Sequence, residues 1–316
     1  MSRSSKILLA IASALVAIGG IIFVCAFALG GFSENKYQTN KYDIREQFES
    51  VSVSTDTAAV TLLPSNDGFC SVECFEEENL KHTVRVADGT LYIELIDTRK
   101  WYEHINIATK ETEIKVYLPR GEYGGLSVEN STGDVDIPDT FKFGRIGVSV
   151  STGDVKCLAS ASESIKVSAS TGDVTLKFAS AGVIELETST GTVTVGQVKC
   201  DGAMSVTVST GKAYLDGVSC GSLITEGDTG DLTMKSVIVS GKLTCERSTG
   251  DIRLDLCDAA EIFIKTDTGD VTGSLLSEKV FVVETDTGKK DVPRSVTGGV
   301  CEITSDTGDI IITVKS

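Results

Sequence analysis

Through the C-terminal two thirds of this chain, apolar and polar residues alternate with a period of two. The alternation is broken at regular intervals by a Ser-Thr-Gly or Asp-Thr-Gly triplet. A two-residue period predicts strands with one buried face. Counted from the triplet's glycine, the apolar positions fall at −7, −5, +2 and +4, as in Ile165, Val167, Val174 and Leu176. Lys166, Thr175 and Lys177 lie between them and are expected to face water. A third short side is predicted at +7, where Val198, Val218, Val237, Cys257 and Leu276 stand. Only one other pattern interrupts this: Ile7 to Leu29 is apolar and carries no charge, long enough to cross a bilayer as a helix.

The glycines are Gly133, Gly153, Gly172, Gly191, Gly211, Gly230, Gly250, Gly269, Gly288 and Gly308, spaced by 19 or 20 residues throughout. A fixed period of this length marks a stacked architecture in which one repeat makes one coil and only the stack makes a core. The expected fold is therefore all-β: a parallel β-solenoid of about ten coils, preceded by an irregular β cap and one transmembrane helix. Ten rungs at about 4.8 Å would give a rod on the order of 45 Å long. Glycine suits a turn that needs positive φ, and the preceding Ser or Asp can bond nearby amides. Thr occupies the position before every one of these glycines, so a stacked threonine row is expected whose hydroxyls bond from rung to rung.

The pattern divides the chain into a cytoplasmic N-terminus (1–6), a transmembrane anchor (7–29), a linker (30–44), a β cap (45–125) and the solenoid (126–316). In the cap, Phe48 to Ser54, Phe69 to Phe75, Thr83 to Val86, Leu91 to Ile96 and Glu113 to Leu118 alternate like strands. Ser54-Thr55-Asp56-Thr57 looks like a decayed repeat turn. Ile310 to Val314 has no following cap, so the expected C-terminal edge is exposed or paired with another chain. Arg3 and Lys6 precede the apolar stretch and the first acid, Glu34, follows it, which orients the N-terminus inward and the rest outside. A cleaved signal peptide is the competing reading, since Ala26-Phe27-Ala28 offers a small-x-small site.

A net charge of −16 argues against nucleic acid as a partner. Nine cysteines show neither a dense paired spacing nor a zinc-type pair. Cys157, Cys245 and Cys301 fall in the apolar columns and are expected to be buried thiols. Cys200 and Cys220 sit on successive rungs, close enough for a bridge or for two free thiols. Trp101, Tyr102 and His104 form an aromatic cluster expected on a cap hairpin.

One place after the glycines runs an acidic row of Asp134, Asp154, Asp173, Asp231, Asp251, Asp270 and Asp309, interrupted by Thr192, Lys212 and Lys289. Stacked carboxylates could share calcium, with Asp228, Asp231, Asp267, Asp270, Asp306 and Asp309 the strongest candidates. The plainer reading is that they finish turns and keep the surface wet. No catalytic set, cofactor loop or metal-spaced histidine pair is legible. No long insertion makes a groove for a polysaccharide-cleaving acid.

Ser-Thr-Gly-Asp-Val at 131–135, 151–155 and 170–174, Asp-Thr-Gly-Asp at 228–231, 267–270 and 306–309, and Lys115-Val116-Tyr117-Leu118-Pro119 before the repeats carry a family likeness. Over 45–314 the chain resembles adhesin-like bacterial proteins of unknown biochemical function built from β-strand repeats, common in Gram-positive envelopes. The resemblance implies a non-catalytic surface protein involved in attachment or envelope stress, with no catalytic residues to carry over. The expected partner is an envelope protein or glycan, and the alternative is a calcium- or glycan-binding structural module.

Overall fold

The computed structural model describes residues 3–28, 36–97 and 110–315. Trp101, Tyr102 and His104 lie outside the described residues. One helix, Arg3–Ala28, covers the apolar stretch, and its window Ser5–Ile22 is long and apolar enough to span a membrane. Everything else is β-structure in parallel, in-register ladders, closed at one end by antiparallel strands.

Each coil has a strand before its Thr-Gly turn and a strand after it. In coil 3, centred on Gly172, these are Ser160–Thr171 and Val174–Lys177. Equivalent residues stack directly: Val167 pairs with Val148 below and Leu186 above, and Thr171 pairs with Thr152 and Thr190. The −7, −5, +2 and +4 columns fill one continuous core running from Ile44 to Ile312. Each fully buried Val, Leu or Ile there contributes roughly 1.5–3 kcal/mol relative to exposure. On the third side Val198, Val218, Val237 and Cys257 are buried as expected. Leu276 is not: a bulge pairs Cys257 with Leu275 instead, so Leu276 turns outward.

The threonine row stacks as expected, but backbone groups join the rungs at this corner. Each turn glycine donates its N–H to the threonine carbonyl of the next rung, from Gly133 to Thr152 (2.9 Å) through Gly250 to Thr268 (2.9 Å). The side chains that reach glycine carbonyls belong instead to the −3 column. Asn130, Thr188, Thr285 and Ser305 are buried there and bond the carbonyls of Gly133, Gly172, Gly308 and Gly269.

The stacking order departs from the chain order at both ends. Strands Ser50–Thr55 and Ala58–Pro64 form the first coil in sequence, with Ala58 at the glycine position. This coil lies between coil 1 and a coil made by Thr90–Asp97 and Thr112–Leu118. At the other end the last coil, Gly299–Thr307 and Ile310–Val314, slips between coil 8 and coil 9. The C-terminal edge is therefore formed by Lys279–Thr287 and Lys290–Asp291, which cover Ile310 and Ile311, and by Ile312–Val314, which they are too short to reach. The physical gain is that Gly299–Thr307 is hydrogen-bonded on both flanks and cannot fray as an edge strand would.

At the N-terminal end, Cys70–Glu77 and Leu80–Ala87 run antiparallel to the outer cap coil and cover it. Tyr37–Ile44 pairs antiparallel with Cys70–Glu77 along its full length, so a strand fills the later part of the expected linker 30–44.

Candidate binding surface

Three arrangements carry chemistry, and each follows from how identical positions pile up. The acidic row forms a capping ladder. Oδ1 of Asp134 accepts the backbone N–H of Asp154 at 2.8 Å, and Asp154 does the same for Asp173 at 2.8 Å. The series continues from Asp173 to Thr192, from Asp231 to Asp251, from Asp251 to Asp270, from Asp270 to Asp309 and from Asp309 to Lys289. Each aspartate thus satisfies an amide that the turn would leave open. Lys212 bridges the gap at coil 5 by pairing with Asp231 at 3.0 Å, which helps hold that carboxyl below its usual range. Lys289 ends the ladder on the outermost coil, where no further amide follows.

Asp228, Asp267 and Asp306 occupy a separate exposed column two residues before their glycines. A calcium ion along the ladder would draw on the one carboxylate oxygen that each aspartate but Asp231 has left, Asp231 being held by Lys212 as well, and on water for the rest of its six to eight ligands.

The second arrangement is a buried polar network in the cap. Thr55 Oγ1 lies 2.9 Å from His82 Nε2, and His82 Nδ1 lies 2.7 Å from Glu76 Oε2. The His82 N–H donates to the same carboxylate oxygen, and Asn40 donates to the other. Cys74 Sγ is within 4.8 Å of both the Glu76 and His82 ligand atoms. The order hydroxyl, imidazole, carboxylate is that of a hydrolytic triad. Yet Thr55, His82 and Glu76 are 8%, 4% and 1% exposed, which leaves no access for a substrate. Burial pushes the Glu76 carboxyl up, but the hydrogen bonds from His82 and Asn40 outweigh this and hold it below the usual range. The network ties four cap strands together. Sequence reasoning missed it because its members are scattered over the irregular region, with no shared spacing.

The third arrangement lies on the strands that follow the turns. At +6, Phe178, Gln197, Gly217, Ser236 and Leu256 form a row of left-handed residues with φ of 52–67°, only one of them glycine. Phe178 and Tyr214 stand out of this surface, 68% and 41% exposed, over a groove of about 420 Å³. Gly196 supplies part of its floor, with the Lys177 side chain lying across it. The sequence signal is an aromatic residue at 178 and at 214, each on a position that the alternation does not assign to the core.

All eight cysteines beyond the helix are reduced and buried, and Cys200 and Cys220 are free. Burial pushes the Cys157, Cys220, Cys245 and Cys301 thiols up to about 12.

A stacked solenoid with capped turns, a closed cap network and an open outer face is a scaffold for presenting surface. The chain belongs to the Toastrack DUF4097 family, whose model matches residues 48–313. Among solved structures it is similar to a candidate adhesin from Parabacteroides distasonis, at 14% identity and a TM-score of 0.50. That match covers 77% of this chain and 98% of the other. It is also similar to a candidate adhesin from Bacteroides fragilis (14% identity, TM-score 0.40, 89% and 97% covered). A candidate lipid-binding protein from Parabacteroides distasonis matches at 14% identity and a TM-score of 0.43, with 89% and 97% covered. At this identity the likeness concerns the fold. No curated protein matches the chain.

Proposed function

We propose that this chain is a membrane-anchored, extracytoplasmic and non-catalytic interaction protein, of the adhesin-like kind that its structural relatives are described as. The observation that carries this reading is the presence in one chain of an apolar helix, free of charge from Ile7 onward, and a rod whose acidic and hydroxylated positions recur along its outer face. Catalysis needs an acid, base or nucleophile made unlike its neighbours and open to substrate. Here the acids of the turn row serve as caps, and the triad-like set is sealed. A solenoid instead offers an extended surface on which one partner is met at several rungs. The positive flank Arg3 and Lys6 supports a topology with the rod outside the cytoplasm.

The test is protease treatment of spheroplasts carrying the full chain, followed by alkaline extraction. The rod is expected to be cleaved from outside, while the helix stays in the membrane fraction. A rod protected until lysis, or a chain released by alkali, would overturn the reading.

A further inference from the structure

The groove over coils 3 to 6 is where this uniform array becomes particular. Phe178 sits at φ 57° and is 68% exposed. A bulky side chain in the left-handed region costs stability, and glycine, present at the same position in coil 5 as Gly217, would not. Phe178 gains no burial in exchange. Tyr214 on coil 5 is the second exposed ring, two rungs on, roughly 10 Å along the stack. Between them, Gly196 opens a trough crossed by the Lys177 side chain, with Gln197 beside it. Thr194 and Thr233 line its polar side.

Three features select the ligand. The strands under the groove are paired on both flanks, Val195 with Leu176 and Leu215, and Leu215 with Met234. No backbone edge is therefore open to an added peptide strand, the usual mode for extended peptides. The groove is open and bordered by charge, which does not suit an acyl chain. Flat aromatic faces set among hydroxyl and amide groups suit pyranose rings, whose axial C–H faces stack and whose hydroxyls need partners. Lys177 and Lys235 face the groove against the single acid Asp216, which lies 3.9 Å from Lys235. That local excess of positive charge stands within a chain of net charge −16.

We propose that this groove binds an acidic polysaccharide, with successive sugar rings on Phe178 and Tyr214 and carboxylates met by Lys177 and Lys235. This rests on the reading of the chain as a surface interaction protein and names its ligand class.

The test is calorimetric titration of the full chain in detergent micelles with three probes: hexagalacturonate, the neutral chitohexaose and an oligoglutamate of similar charge. Saturable binding of hexagalacturonate is expected, at least tenfold tighter than either control. F178G with Y214T should weaken it at least tenfold, while K177Q with K235Q should remove the preference over chitohexaose. F178G alone should melt no lower than the parent, so that lost binding is not lost folding. Absence of saturable hexagalacturonate binding, equal affinity in F178G/Y214T, or equally tight oligoglutamate would overturn the proposal. Spheroplast proteolysis reads topology independently, so a failed titration beside an exposed rod sinks the ligand and not the surface role.

Discussion

Replacing Gly191 by alanine tests whether the turns stack as closely as the structure has them. Gly191 adopts φ +147°, and a Cβ there would fall 2.0 Å from the Gly172 carbonyl oxygen and 2.7 Å from its carbon. That oxygen is held by Thr188 Oγ1 at 3.0 Å, and the Gly172 N–H is held by the Thr190 carbonyl at 2.9 Å. The carbonyl cannot swing away without breaking bonds in the rung below. The backbone conformation alone costs an alanine roughly 1–3 kcal/mol. Clearing a backbone atom from the overlap adds about 1–3 kcal/mol. The sum is about 2–6 kcal/mol. Gly89 is the control: its φ is +72°, but nothing lies within 4 Å of its Cβ position, so alanine there should cost only about 1 kcal/mol. The assay is urea denaturation of both full-length variants in detergent, followed by far-UV circular dichroism, with the midpoint shift scaled by m. If Gly191→Ala costs no more than Gly89→Ala, the glycines do not lie carbonyl to Cα, and the stacked-turn account is wrong.

Three further outcomes follow from buried groups. Iodoacetamide should modify none of the eight buried cysteines in the folded chain and all of them after denaturation, as read by intact mass, because burial both shields the thiols and disfavours the thiolate. Glu76 has its carboxyl depressed in the fold, so its contribution is present above the unfolded value near about 4.3 and is lost as pH falls through the folded value. Glu76→Gln should therefore melt below the parent at pH 7, and the gap should close only as pH falls below the unfolded value and through the lower folded one; a gap that stays constant through the whole acid limb of the melting profile would contradict this. Arg247 is 3% exposed, with Nε and Nη2 unpaired, and it occupies the space left by Gly227. Gly227→Thr should lose at least about 2 kcal/mol alone, and Arg247→Thr in the same chain should recover only the part owed to the guanidinium, because the Val208 carbonyl oxygen would still lie 2.5 Å from the new Cβ; a double-mutant cycle measures the coupling.

The repeat geometry was legible because stacking turns one local pattern into ten independent readings. Ile165, Ile184 and Leu223 announce the same inward position, so a single exception does not blur the column. The −3 column was legible in principle, since it shares the parity of −5 and −7. Its residues hide this: Asn130, Thr188, Thr266 and Arg247 are polar, and burial of a polar side chain depends on a partner carbonyl that sequence does not show. The left-handed row was hidden for a related reason. Gly217 alone carries the residue type that advertises positive φ, while Phe178, Gln197, Ser236 and Leu256 are held there by the ladders on either side. The cap network lacked any repeat to amplify it, so Thr55, Glu76 and His82 read as three unrelated residues.

The inverted order of coils recurs at both ends of the stack. A solenoid's end coils lose half their neighbours, so the strands placed there are the ones most open to fraying. Ser50–Pro64 and Gly299–Ile311 are each flanked by strands on both sides, and the outermost positions fall to Thr90–Asp97 with Thr112–Leu118 at one end and Lys279–Asp291 at the other. The capping ladder agrees with this order and not with the chain order: Asp270 serves Asp309 of the last coil, and Asp309 serves Lys289 of the coil before it. Had coil 9 followed coil 8 directly, Lys289 would have stood in the interior with no carboxylate to offer the next amide. Placed outermost, the same lysine is a charged residue on a free strand edge, where it discourages another chain from extending the stack. The two ends are therefore unequal: antiparallel strands cover one, and the coil Lys279–Asp291 closes the other. The long faces between them, where Phe178 and Tyr214 stand, are left as the surface on which a partner can be met.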